Sequence, residues 1–219
     1  MPTIVSGTVP ASDLALNHSL EALPELLFEV ERIVTSGDDA LMPMLWVRGS
    51  SRAEIEATLE EDPTVDEVTL LGDFDDECLF RMEWVSRIDL IMQMLTNSEA
   101  TVLDAVGQGD RWKVRVLYPR RSLFSKTHDF CTEHGVEFEV SSIRELDEGP
   151  AGRYGLTSAQ YEVLSEASRQ GYFKVPREVS LSELADDLDI SHQAASERLR
   201  RATDALVEDT LFVGMAELE

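Results

Sequence analysis

The sequence predicts an α+β chain: an N-terminal mixed α/β sandwich with a largely antiparallel sheet, followed by a small all-α domain. Three observations carry this. Residues 26–142 hold short apolar runs rich in Val, Leu, Phe and Trp, separated by Gly, Asp and Pro. Residues 156–211 show the i, i+3, i+4 spacing of amphipathic helices, interrupted by a connector from Tyr172 to Val179 that contains Pro176. Between them Asp147-Glu148-Gly149-Pro150-Ala151-Gly152 interrupts all periodicity. It reads as a linker, with a boundary near 148–152 and domains at 1–149 and 152–219.

In the first domain, Leu26 to Val34 and Met42 to Val47 suit strands, and Ser51 to Glu60 a helix. Val65 to Leu71 is a strand that turns through Gly72 to Asp76 into another, Cys78 to Val85. Ser86 to Leu95 favours a helix through Ile88, Ile91, Met92 and Leu95. Thr101 to Val106 and Trp112 to Tyr118 form a hairpin across Gly107-Gln108-Gly109-Asp110. Pro119 precedes a helix from Ser122 to His134, which Gly135 is placed to end, and Val136 to Ser142 is the last strand. After residue 42 the order fits an antiparallel sheet with helices on one face, as in ferredoxin-like sandwiches. Such folds host enzymes, sensors and dimerisation modules alike, so they supply no function.

Composition narrows the classes. With 43% hydrophobic residues the chain can bury a core. No apolar run reaches the length of a membrane span and no secretory signal is visible, so the expected location is the cytoplasm. Cys78 and Cys131 form no CxxC and read as buried free thiols. Asp and Glu number 43 against 19 Lys and Arg, a net charge of −24, and only Lys113, Lys126 and Lys174 are lysines. Such a chain repels itself unless salt screens it, and the Debye length falls to ~3 Å at 1 M. The expected setting is a salt-loaded, halophilic cytoplasm; the alternative is an ordinary acidic protein. DNA should repel this chain too, unless local charge differs from global charge. It does differ. Residues 150–219 carry seven basic and thirteen acidic groups, a balance of −6, which leaves −18 for residues 1–149. Within His192 to Arg201, Arg198, Arg200 and Arg201 face one acid, Glu197.

Catalytic patterns are missing: there is no P-loop, GxSxG or HExxH. Asp73, Asp75, Asp76 and Glu77 cluster at a turn and could hold a hard cation, but turns in an acidic protein are acidic. His128, Cys131 and His134 fall at i, i+3, i+6 on a helix, where packing competes with soft-metal binding. Phe28, Trp46, Phe80, Trp84 and Trp112 read as core rather than as a ligand pocket. No enzyme activity, cofactor or metal is expected.

The chemistry concentrates after residue 156. Thr157 or Ser158 can cap a helix with the stripe Tyr161, Leu164 and Ala167, widened by Val163, and Gly171 suits the left-handed position that ends it. Ser180 followed by Glu183 is a capping box, and Leu181, Leu184, Ala185 and Leu188 form the buried face of the helix it opens. Asp189-Ile190-Ser191 is a three-residue turn. Ser191 caps a third helix, His192 to about Val207, with Ala195, Leu199, Ala202 and Leu206 inward and His192, Gln193, Ser196, Glu197 and Arg200 outward. Two helices fixed by a short turn, the second presenting its first residues, form a helix-turn-helix that can enter the major groove. Gln pairs bidentately with adenine and Arg with guanine, and a helix start favours phosphate near Ser191. The candidate DNA-binding residues are Ser191, His192, Gln193, Ser196, Glu197, Arg198, Arg200 and Arg201.

The stretch LTSAQYEVLSEASRQGYFKVPREVSLSELADDLDISHQAASERLRRATDAL resembles the helix-turn-helix of bacterio-opsin-activator-type (Bat-like) regulators of halophilic archaea, through GYFxVPR, SLxELAxxLxIS and SERLRRA. That module is in turn similar to the sigma-factor region that reads promoter DNA. The resemblance implies a sequence-specific transcription regulator, with an N-terminal domain of the kind found here. Some members add PAS or GAF sensor domains, for which this chain is too short. Ala195 is smaller than the branched residue usual at its position, which implies a closer helix crossing.

The expected function is therefore promoter-DNA binding by helix 192–207. The first domain pairs two copies as a homodimer, senses a signal or contacts the transcription machinery. The alternative is a non-catalytic adaptor that uses the helices for protein contact.

Overall fold

A computed structural model describes residues 1–36, 40–84, 98–146 and 150–210. The chain divides into two compact units, residues 1–144 and 145–219.

Period-2 burial builds the first unit. Its strands are β1 (Thr3–Pro10), β2 (Leu27–Ser36), β3 (Ala40–Arg48), β4 (Val65–Asp73), β5 (Cys78–Trp84), β6 (Thr101–Gln108), β7 (Arg111–Tyr118) and β8 (Glu139–Glu145). Among the described residues they form one eight-stranded sheet in the order β4-β5-β3-β2-β6-β7-β1-β8, wider than a ferredoxin-like sandwich. The hairpins β2–β3, β4–β5 and β6–β7 are antiparallel, as are the longer-range pairs β1–β7, β2–β6 and β3–β5. The β6–β7 turn is tighter than the expected four residues. Gln108 pairs with Arg111, so Gly109-Asp110 alone reverses the chain, with Gly109 at φ +62°.

Among the described residues this unit also holds helices α1 (Asn17–Ala22), α2 (Arg52–Glu60) and α3 (Arg121–His134). On α3 the buried residues Leu123, Phe124, Thr127 and Cys131 share one stripe, and Gly135 ends the helix in the left-handed conformation. The α2 start carries a capping box, Ser51 with Glu54. One core joins Phe28, Phe80, Trp84 and Trp112 to the inner faces of α2 and α3. Trp46 departs from the expected core role. Alternation along β3 buries Leu45 and Val47, so Trp46 faces the other way, half-buried, with its ring against Phe74 and its Nε1 donating to Glu31.

The first 25 residues hold two elements that the sequence did not announce, β1 and α1. Strand β1 needs a glycine: a Cβ on Gly7 would lie 2.6 Å from the Glu139 carbonyl oxygen. Strand β8 begins at Glu139 rather than Val136, because Val136 and Phe138 pack on the core ahead of it. The helix expected over Ser86 to Leu95 lies outside the described residues.

In the second unit a 3-10 turn (Pro150–Tyr154) precedes α4 (Ser158–Arg169), α5 (Leu181–Asp187) and α6 (His192–Thr210). Pro150, Ala151 and Gly152, expected as linker, belong to that turn, and Ala151 is buried with Leu156 and Ala202. A second small core joins Val163, Ala167, Leu184 and Leu199. Val163 and Ala167 thus centre the α4 stripe, and Tyr161 and Leu164 are half-buried at its border. Among the described residues no helix is long and apolar enough to cross a membrane.

Candidate nucleic-acid interface

Local chemistry sets each helix end around the site. Thr157, not Ser158, caps α4: its hydroxyl accepts from the Gln160 amide, and the Gln160 side chain accepts from the Thr157 amide. The far end closes as a Schellman motif. Gly171 adopts φ +78°, its amide donates to the Ser168 carbonyl, and the Tyr172 amide donates to the Ala167 carbonyl at 2.9 Å. This fixes Tyr172 at the start of the connector.

Ser180 and Glu183 form the reciprocal capping box that opens α5. The Ser180 amide and hydroxyl hold the Glu183 carboxyl below the usual carboxylate range. The turn after α5 repeats the Schellman pattern without glycine. Asp189 takes φ +51°, and the Ile190 amide donates to the Ala185 carbonyl at 3.0 Å. Asp tolerates this region better than most residues. Ser191 then caps α6, its hydroxyl accepting from the Ala194 amide at 3.1 Å. Ala195, Leu199 and Ala202 are buried, so the remaining faces of α6 are fixed.

Residues on a helix turn by about 100° each. Gln193 and Arg200, seven apart, therefore lie on nearly one line, both exposed. His192 and Glu197 are exposed beside them, and Ser196 is half-buried on the same side. Arg198 departs from the group: it is rotated by roughly 200° from Arg200 and is half-buried on the opposite flank. Arg201 is exposed but bonds Glu197 at 2.8 Å.

Within the helical unit, charge pairing separates two exposed arginines from the other exposed cations. Arg169 is paired with Glu166, and Lys174 with Glu178. Arg177 and Arg200 have no carboxylate within ion-pair distance among the described residues. Arg177 instead stacks over the Tyr172 ring, 4.7 Å from its centroid. A surface cavity of about 470 Å³ is bordered by Tyr172, Phe173, Ser196, Arg200, Thr203 and Asp204. The connector thus meets the α6 face. Sequence reasoning missed Tyr172 and Arg177. The GYFxVPR motif contains both, but the connector has no periodicity to orient them and neither carries a role in the sequence reading.

The metal candidates do not assemble. Cys131 is buried, and burial pushes its thiol up to about 11, whereas His128 and His134 are exposed and rest on Phe124 and Phe130. At the acidic turn Asp73 bonds Arg52 and accepts from the Cys78 thiol. Cys78 and Cys131 are free and buried.

Comparison with known proteins agrees with this geometry. A family model described as "GAF and HTH_10 associated domain" matches residues 9–155, and one described as "HTH DNA binding domain" matches residues 156–208. A 58-residue stretch is 41% identical to the transcriptional regulator NarO of Haloferax volcanii. That stretch is 26% of this chain and spans only 28% of the relative's length. With the first model covering most of the sheet-containing unit and the second the three helices, the chain belongs to the Bat-like family, in which this associated domain accompanies an HTH_10 DNA-binding domain.

Proposed function

We propose that the protein is a cytoplasmic, DNA-binding transcription regulator that reads promoter DNA in the major groove with α6. The observation that carries this is the line of Gln193 and Arg200 on the exposed face of a helix whose opposite stripe is buried. Seven residues apart, they are about 10 Å from each other along the axis, the span of roughly three base-pair steps. Gln193 and Arg200 contact base edges, with Ser196 and Glu197 between them. Ser191 and His192 sit at the helix start, where free amides favour a backbone phosphate. Arg201 and, from the other flank, Arg198 supply backbone contacts. The sheet-containing unit pairs two copies, because single helix-turn-helix readers act on two half-sites about one helical turn apart.

The test uses the full chain in molar KCl. Selection from a random duplex library should return a defined sequence, and light scattering should give a dimer. Arg200→Ala and Gln193→Ala should each lose about 5- to 150-fold in discrimination, corresponding to ~1–3 kcal/mol per bidentate contact, with unchanged melting. Unaltered discrimination in both variants would remove the recognition-face assignment and favour a protein-contact role for the helices. A monomer would transfer the first unit to sensing or to contact with the transcription machinery.

A further inference from the structure

We propose that Arg177, held on the ring of Tyr172, is an anchor for a DNA phosphodiester beside the bases that α6 faces. The inference rests on the reading of α6 as the recognition helix and adds a second element, the α4–α5 connector, to the interface.

Three observations lead to it. The first is pairing. Within the helical unit of this acidic chain, the exposed cations Arg169, Lys174 and Arg201 each hold a carboxylate. Arg177 does not, among the described residues, and shares that state with Arg200 on the proposed reading face. A cation left unneutralised in such a protein is available to an outside anion.

The second is preorganisation. The guanidinium lies 4.7 Å from the Tyr172 centroid, and Tyr172 is itself fixed by the hydrogen bond that its backbone N–H donates to the Ala167 carbonyl. Stacking on the ring leaves the edge of the guanidinium, with its fork of N–H donors, free to meet two phosphate oxygens. This matters in brine. Salt screens long-range attraction, but it does not remove a bidentate hydrogen bond made in contact. Lysine, a hydrated point charge on a flexible stem, would lose more.

The third is place. Tyr172 carries Arg177 and also borders the cavity shared by Ser196 and Arg200. A duplex read by Arg200 therefore brings its backbone past the connector. Asp204 borders the same cavity, which favours the phosphate on the Arg177 side rather than within it.

The experiment measures binding of the full chain to its selected duplex and to an unrelated duplex of equal length, across several KCl concentrations. Arg177→Ala should weaken both by the same factor, roughly 5- to 10-fold, and reduce the slope of log K against log salt by about 0.9, the loss of one phosphate contact. Arg177→Lys should keep the slope but recover only part of the affinity. Melting should not change, since the side chain is exposed. Unchanged affinity and slope in Arg177→Ala would overturn the anchor, and so would a loss confined to the selected duplex, which would make Arg177 a base reader. Arg200→Ala, measured alongside, separates the two readings. Lost discrimination there with an unaffected Arg177→Ala removes the anchor alone, whereas intact discrimination in both Arg200→Ala and Gln193→Ala removes the recognition face and the anchor with it.

Discussion

Asp62 receives two hydrogen bonds from Ser19 on a single carboxylate oxygen, one from the amide at 2.9 Å and one from the hydroxyl at 2.7 Å. Its other oxygen accepts from the amide and hydroxyl of Thr64, and the Thr64 hydroxyl accepts in turn from the Leu16 amide. Both Ser19 and Asp62 are buried. Helix α1 starts at Leu16 in the left-handed conformation with no side-chain cap of its own, so Asp62 caps it from 43 residues away.

Asp62→Ala should therefore cost much more than a surface change. It leaves the Ser19 and Thr64 donors without their acceptor in the core, and bonds to a charged group count for ~1.5–3 kcal/mol each. We expect a loss of about 3 kcal/mol in denaturant unfolding at molar KCl. A loss below about 1 kcal/mol would mean that water replaces the carboxylate.

Asp189 is the point where the α5–α6 turn depends on one backbone angle. Asp189→Val should lower stability by roughly 1–2 kcal/mol, because a β-branched residue fits poorly at φ above zero. Asp189→Gly should be tolerated. If thermal unfolding ranks the two variants equally, the turn relaxes without cost and its geometry is not what fixes α6.

Ala195 is fully buried on the inner side of α6. Ala195→Glu places an unpaired carboxylate there, and burying such a charge is expensive. DNA binding should vanish together with the cooperative melting of the helical unit, whereas Arg200→Ala should leave melting intact. A folded and active Ala195→Glu chain would rotate α6 away from its present setting.

Salt should control the whole fold. Residues 1–149 carry −18, and the Debye length lengthens from ~3 Å at 1 M to ~10 Å at 0.1 M. Lowering KCl from about 3 M to about 0.1 M should reduce the melting temperature by roughly 10 °C, the equivalent of a few kcal/mol for a chain this size. Circular dichroism across that range decides it, and a constant melting temperature defeats the high-salt reading.

What could be read in the sequence was what is determined locally. Ser180 with Glu183, Gly171 and Ser191 announce helix ends because their partners lie within a few residues, and the helices they bound are present. Helix α1 could not be read, because its cap is Asp62. Strand β1 could not either. Its run TIVSGTVP is broken near its middle by the small Gly7, and its pairing partner β7 lies about a hundred residues later. Arg198 shows a different limit. Residue type put it in the basic patch, but helical rotation sets it on the flank away from Arg200. Arg177 enters only through its stacking on Tyr172, a contact within an aperiodic connector.

Strand β4 is one margin of the sheet, and its pairing with β5 is broken by irregularities between Val65 and Glu67 and between Leu70 and Gly72. An unpaired margin is a template for joining another chain, and charge is one common guard against that. Brine disarms that guard, since carboxylates such as Asp66 and Glu67 scarcely repel a second copy when fields die within ~3 Å. A bulge is shape, and no ion screens shape. In concentrated salt, resistance to clumping then resides in the contour of the backbone, and straightening β4 would do more harm than neutralising its acids.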